Sequence, residues 1–424
     1  MTMREDDQGI GHVAGGAADD SLDVAVETGS AADRDAGIAR RLLADADEIA
    51  AVIAPRCDEI ERLRHLPADL SKRFAQAGFY RMLVPKVYGG LEVHPTTFFD
   101  VVERIARVDG ASAWCVMISA TAASCSAFLP PEVSRRLLAD PRVCFAGVFA
   151  PRGTAVPEVR DGVDGYRVSG RWQWGSASRN ADYITGGCLV LDAEGKPRKL
   201  PNGMPLIRSM VFDPAEVELL DTWDVSGLCG SGSTDYEVRE VFVPHGRSYS
   251  YLTDTPVDVP LFAFPRFGLL ALGIAAASLG MARGAIDELR VLAGAKKPDA
   301  SAKVLAQRAS VQQQVAQAHA LVRSARAFIG EAIDAGWSAA LAGKVETVHR
   351  SDLRLAATHA VSSAARAVDL MYGLGGGSSV YRRSSLQRHF RDVHVATQHM
   401  MIGESTLELV GRLMLDIPTD VTML

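Results

Sequence analysis

The sequence predicts an α+β chain in three parts: an N-terminal helical domain, a central antiparallel β-domain and a C-terminal helical bundle. Two observations carry this reading. Apolar residues recur at three- and four-residue steps before about residue 140 and after about residue 265. Between those limits, β-branched and aromatic runs are separated by Gly, Pro, Asp and Asn, the pattern of short strands. At 424 residues the chain exceeds one typical domain, and no repeat of fixed period is visible.

Residues 1–35 are rich in Gly, Ala and Asp without a period and are expected to be a disordered tail. The N-terminal helical domain spans 36–140. In it, Ile38, Leu42, Leu43, Ile49, Val52 and Ile53 share a helix face. Pro55 breaks that helix. A second helix starts at Leu66-Pro67 and ends near Gly78, and Pro85 to Gly90 is a loop. Helices resume from Pro95 to about Ala139, broken at Asp109-Gly110 and Pro130-Pro131. The β-domain covers 141–250, with strands expected over Gly165–Trp174, Ala181–Thr185 and Tyr236–Val243. The bundle covers 265–424, with helices over Leu269–Leu292, Ala302–Gly336, Val345–Tyr372 and, in one or two pieces, Arg391–Leu415. Its dense Ala and Gly permit close helix approach, as in bundles and oligomer interfaces.

Charge and composition exclude several function classes. Hydrophobic residues make up 48% and charged residues 23%, ordinary for a globular enzyme. The net charge of −6, without a basic block, argues against a nucleic-acid partner. The six cysteines form no C-x-x-C pair, which argues against a metal site or disulfide framework and fits a reducing cytoplasm. No apolar run of membrane-spanning length is expected, and the first residues lack the basic and apolar regions of a secretory signal.

The densest polar stretch runs from Gln387 to Met400 and holds His389, His394 and His399, three of the ten histidines, beside Arg391-Asp392. Polar groups set among packed helices need a ligand or an interface, because burying them unpaired is costly. Just before it, Gly373 to Gly377 does not follow a strand and is therefore not a dinucleotide loop. Trp172 and Trp174 alternate, so one indole faces inward.

Several segments, in order, resemble the acyl-CoA dehydrogenase fold, and within it the two-component flavin-dependent monooxygenases such as the 4-hydroxyphenylacetate hydroxylases. They are Leu83–Gly90, Ala106–Trp114, Gly170–Ser178 and Trp223–Pro244, within a match covering about residues 38–415. The resemblance implies reduced FMN or FAD as cofactor and O2 as co-substrate. It further implies a C4a-hydroperoxide that hydroxylates an aromatic or natural-product substrate. A separate NAD(P)H:flavin reductase and a homotetramer follow from it too. N- or S-oxygenation uses the same chemistry. Acyl-CoA dehydrogenation is disfavoured: the base position after Arg391-Asp392 falls on Met400, whose thioether takes no proton.

The resemblance also assigns residues. Ser176 matches the hydroxyl that faces flavin N5, beside Trp174 and Ser178. His399 matches the substrate-contacting histidine and is the candidate acid/base, since imidazole titrates near neutrality. His394, five residues earlier, points roughly 140° away on a helix, so one of the two faces the site and the other packs or caps. Arg266 could balance the flavin N1–C2=O edge or a phosphate, and Gly375 and Gly376 could approach the flavin phosphates or simply end a helix. Arg391-Asp392 could be an ion pair fixing a helix start, and His389 is expected in solvent. Some relatives carry a second histidine after the position of Trp114. Cys115 to Leu129 has none, which favours a substrate other than a simple phenol.

Overall fold

A computed structural model describes residues 31–297, 301–422 and 424. The tail expected over 1–35 lies outside the described residues up to residue 30, and 31–35 already belong to the first helix. Six helices open the described chain: α1 (Ala31–Ile53), α2 (Cys57–Leu63), α3 (Ala68–Ala77), α4 (Pro95–Ala106), α5 (Gly110–Ala123) and α6 (Pro131–Leu137). Their breaks fall where the sequence places them. Pro55 sits in a single 3₁₀ turn between α1 and α2. Asp109 caps α5 by accepting the Ser112 backbone N–H at 2.8 Å, which satisfies one of the amides that a helix start leaves open.

Seven strands follow: β1 (Phe145–Arg160), β2 (Val163–Gly175), β3 (Tyr183–Val190), β4 (Ile207–Phe212), β5 (Glu218–Leu220), β6 (Thr234–Pro244) and β7 (Ser248–Tyr249). They form one sheet in the order β5-β6-β2-β1-β3-β4-β7. The expected antiparallel domain is in fact mixed, because β1 and β3 run parallel from Phe145 beside Tyr183. The reason is local. β2 returns antiparallel to the start of β1, and the short link of residues 176–182 then delivers β3 along β1's other side in β1's direction. Asp182 fastens that link by accepting the Cys144 N–H at 2.8 Å.

The last helices are α7 (Pro260–Ala263), α8 (Arg266–Ala295), α9 (Ala309–Leu341), α10 (Thr347–Gly375), α11 (Ser385–Ala396) and α12 (Glu404–Met414). α8 is the axis of the bundle and packs against α10, α4, α11 and α5. By length and composition α8 could cross a membrane, contrary to the sequence expectation, yet 89% of its most apolar window is buried inside the protein. Its apolar surface is spent on core packing.

α11 departs from expectation twice. His389 is buried, not solvated, since Gly284 on α8 leaves room for its ring: a Cβ there would stand 2.7 Å from Nε2. Burial pushes this imidazole down to about 3. Arg391 and Asp392 do not pair with each other and lie in mid-helix. Arg391 meets Glu61 at 2.9 Å, while Asp392 accepts the Leu228 N–H at 2.6 Å. The loop before β6 comes this close only because residue 227 is glycine; a Cβ there would sit 2.4 Å from the Arg391 carbonyl oxygen. Asp392 thereby fixes the segment that carries Trp223, Leu228 and Ser233.

Burial, reinforced by nearby Asp109, pushes the Asp392 carboxyl up to about 7. The unfolded chain ionises this group near its ordinary value of 3.8. The folded form therefore holds an extra proton between the two values, and its contribution to stability is lost as pH rises from about 4 through about 7. Asp392→Asn keeps an acceptor for Leu228 and is expected to flatten that part of the pH dependence. Asp392→Ala orphans the amide and is expected to lower stability by about 1–3 kcal/mol throughout. Urea unfolding at pH 5, 6.5 and 8 measures both; an Asn variant with the parent's pH slope would contradict the assignment.

Candidate active site

Where the sheet meets the helices, a cavity of about 480 Å³ opens, within the size range of ligand pockets. β1 and β2 supply Phe149, Arg152 and Trp174; α5 supplies Trp114, Met117 and Thr121; α8 supplies Leu270 and Ile274. The loop before β6 adds Trp223, Leu228 and Ser233, and the turn after α11 adds His399, Met400 and Met401. Tyr249 and Tyr251 close one side.

At its centre three residues from distant parts of the chain meet. The Trp114 indole N–H donates to Ser176 Oγ at 3.1 Å, and its ring lies edge-on to the His399 ring at 5.8 Å. Ser176 also shares a 2.6 Å bond with Ser233, which shares another of 2.6 Å with Ser231. A serine hydroxyl has one proton and two lone pairs. When Ser231 donates to Ser233 and Ser233 to Ser176, both Ser176 lone pairs are occupied and its own proton turns to the cavity; in the reverse direction that proton goes to Ser233.

His399 precedes a 3₁₀ turn, Met400–Ile402, and its Nδ1 accepts the Met401 backbone N–H at 3.2 Å. An Nδ1 used as acceptor puts the ring proton on Nε2. Burial, with Arg354 nearby, pushes this imidazole down to about 4. At neutral pH His399 is thus a neutral Nε2–H donor. It can donate a hydrogen bond at Nε2 but is poised neither to accept a proton there nor to give one up. That narrows the acid/base role expected from the sequence.

The other predicted residues distribute around this centre. Trp174 lines the cavity with a well-exposed indole, at φ 65°, while Trp172 is wholly buried and stacked on Tyr236 at 5.3 Å. Ser178 is buried behind the wall, its Oγ without a hydrogen-bond partner among the described residues. His394 turns away to α10: Nδ1 donates to the Phe390 carbonyl at 2.7 Å and Nε2 stands 3.4 Å from Asp369. Arg266 also stands behind the wall, sandwiched between the rings of Phe128 at 4.1 Å and Tyr251 at 4.6 Å. Gly375 and Gly376 end α10, where Lys296 donates to the Gly375 carbonyl at 2.7 Å, and neither lines the cavity. Glu404, the carboxylate nearest in sequence to Met400, is exposed and outside the lining. Sequence reasoning missed Arg152, Tyr249, Tyr251 and Ser233 as wall residues. Only Ser233, in a run of small residues before a strand, carried a local signal.

The donor set suits a flat, polar-edged ring. Trp174 offers an open aromatic face, Ser176 a hydroxyl, and His399 an N–H, in a wall otherwise rich in aromatic and thioether groups. A flavin ring fits these residues, and Trp174, Ser176 and Ser233 would hold it.

The acyl-CoA dehydrogenase N-terminal domain family matches residues 40–140, and the C-terminal domain family matches residues 272–404. The indole-3-acetate monooxygenase of Pseudomonas putida is 34% identical over 84% of this chain and 89% of its own. The chain belongs to the flavin-dependent monooxygenases of the acyl-CoA dehydrogenase family. Another member, the flavin-dependent monooxygenase oxygenase subunit HsaA of Mycobacterium tuberculosis, is 28% identical over 85% of this chain and 91% of its own. The solved 3-HSA hydroxylase from Rhodococcus sp. RHA1 superposes with a TM-score of 0.81 at 25% identity, covering 91% of this chain and 99% of that one. This monooxygenase is accordingly an oxidoreductase with the central mixed sheet and C-terminal bundle of its family. Relatives named as oxygenase subunit or oxygenase component imply that the reductase is a separate protein.

The tautomer of His399 is directly measurable. Nitrogen chemical shifts of labelled histidine are expected to show an Nε2–H ring at pH 7, titrating near 4 rather than near 6.5. An imidazolium at pH 6 would contradict the geometry described.

Proposed function

We propose that this monooxygenase hydroxylates a bicyclic aromatic substrate of indole size, using reduced FMN or FAD and O2, with electrons from an NAD(P)H:flavin reductase. The observation that carries the reading is the Trp114 bridge, which sets a hydroxyl proton and an imidazole N–H side by side in an aromatic cavity. When bound, reduced flavin would supply the two electrons that activate O2, one atom of which goes to the substrate and the other to water. The chain's own contributions are positional. Ser176 holds a proton at the ring edge through its Oγ–H. His399 offers Nε2–H to a heteroatom or developing oxyanion of the substrate. Phe149, Leu270, Ile274 and the methionines keep water out.

N- or S-oxygenation would need the same wall and remains the second reading, since nothing in the lining selects carbon. α-Proton abstraction from an acyl-CoA finds less support, because no carboxylate among the described residues lines the cavity and Met400 stands at the expected base position. A homotetramer is supported by apolar side chains exposed on the long helices, among them Val291, Leu341 and Val348. A cytoplasmic location is supported by six unpaired cysteines, five of them buried.

Turnover with photoreduced flavin, ¹⁸O₂ and indole-3-acetate tests the proposal. One labelled oxygen per product is expected. Ser176→Ala is expected to lower product per reduced flavin about tenfold, the worth of one hydrogen bond of about 1.4 kcal/mol, with peroxide making up the balance. Anaerobic bleaching of bound flavin by an acyl-CoA, with no label in any aromatic product, would overturn it.

A further inference from the structure

Six arginines lie on the strands, and five of them meet a carboxylate. Arg160 pairs with Glu158 at 2.7 Å, Arg171 with Asp235 at 2.8 Å, Arg208 with Asp254 at 2.9 Å and Arg239 with Glu237 at 2.8 Å. Arg167 meets both Glu158 and Glu240, at 3.1 and 2.6 Å. The sixth is Arg152. Among the described residues it has no ion pair and no side-chain hydrogen bond, and it lines the cavity.

Its placement is built into the sheet. The β1–β3 register shifts between Val148 and Pro151 and again between Pro151 and Gly153, so Arg152 has no partner on β3. Pairing with β2 starts only at Gly153. Bulges of this kind re-aim a side chain and recur beside active sites. This one turns an unpaired guanidinium to the cavity mouth.

The rest of the wall points the same way. Among the described residues Arg152 is the one lining side chain with a fixed charge, and no Asp or Glu lines the cavity. Two more cations stand directly behind it. Arg266 donates to the Tyr251 carbonyl at 3.2 Å, and Arg354 donates to the Met401 carbonyl at 2.9 Å. Tyr251 and Met401 are wall residues. The cavity is therefore aromatic in its lining and positive in its field, which favours an aromatic anion over a neutral aromatic.

We propose that the substrate carries a carboxylate, and that Arg152 selects it by a bidentate ion pair at the mouth while the ring lies against Trp114 and Phe149. A guanidinium matches a carboxylate with two parallel N–H···O bonds, which an ammonium cannot reproduce. This inference rests on the proposed function for its aromatic ring and adds the anionic group.

The test compares indole-3-acetate with its neutral isostere indole-3-acetamide, in calorimetric binding to the flavin-loaded protein and in turnover. The parent is expected to favour the acetate by about tenfold or more, and added salt to shrink the preference because Arg152 is exposed. Arg152→Gln is expected to bring the acetate-to-acetamide ratio close to one through KM rather than kcat, and Arg152→Lys to recover part of it. Equal affinity of the parent for both compounds would overturn the inference. So would an Arg152→Gln variant that weakens both alike or loosens flavin, since that result assigns the cation to the cofactor. Failure of the proposed function would look different: neither compound would take up labelled oxygen, whatever the ratio of their affinities.

Discussion

The hydrogen bond from the Trp114 indole to the Ser176 hydroxyl is the contact on which the site depends. It joins α5 to the link after β2, across 62 residues of sequence, at the seam where helices and sheet part to form the cavity. An indole N–H can only donate, and a buried donor needs an acceptor. Ser176 is therefore fixed by Trp114 on one side and Ser233 on the other, with its hydroxyl at the edge of the open space. The same indole braces His399, whose protonation is set independently by the Met401 amide. One aromatic side chain thus spaces two polar groups that line the cavity.

Charge is distributed around this contact in a consistent way. Among the described residues no carboxylate lines the cavity, and the buried pair Asp109 and Asp392 lies at the N-terminal end of α5, capping a helix and pinning the loop that carries Leu228 and Ser233. Cations stand at the mouth and behind the wall. The histidine that faces inward is neutral at physiological pH. Such an interior offers donors without offering a base. It suits delivery of oxygen to an aromatic ring and is poorly suited to removing a proton from carbon.

The helix–β–helix plan was legible because its signals are local. Three- and four-residue periods, Pro55, Asp109 and Pro130-Pro131 mark helices and breaks wherever they occur. The parallel β1–β3 pair was not legible, because strand direction follows from how a short link folds back, not from residue pattern. Trp174, Ser176 and His399 were found through resemblance and do line the cavity. His389 was misplaced because its burial depends on Gly284, more than a hundred residues away and lacking a Cβ. His394 and Arg391-Asp392 could not be resolved from helical period alone, since their partners sit on α10, α2 and the loop before β6. Arg152 looked like any strand arginine; only the pairing of the other five makes it stand out.

On the proposed function, one cavity, bounded by Trp114, Trp174 and His399, receives both the flavin ring and the substrate. A crystal structure of the protein soaked with reduced flavin and indole-3-acetate tests this directly. It should show the ring against Trp174 with Ser176 Oγ at hydrogen-bonding distance from a ring nitrogen, and the indole between that ring and His399. A flavin ring bound elsewhere, such as the apolar groove between α8 and α9 beside Arg283 and Arg323, would contradict it.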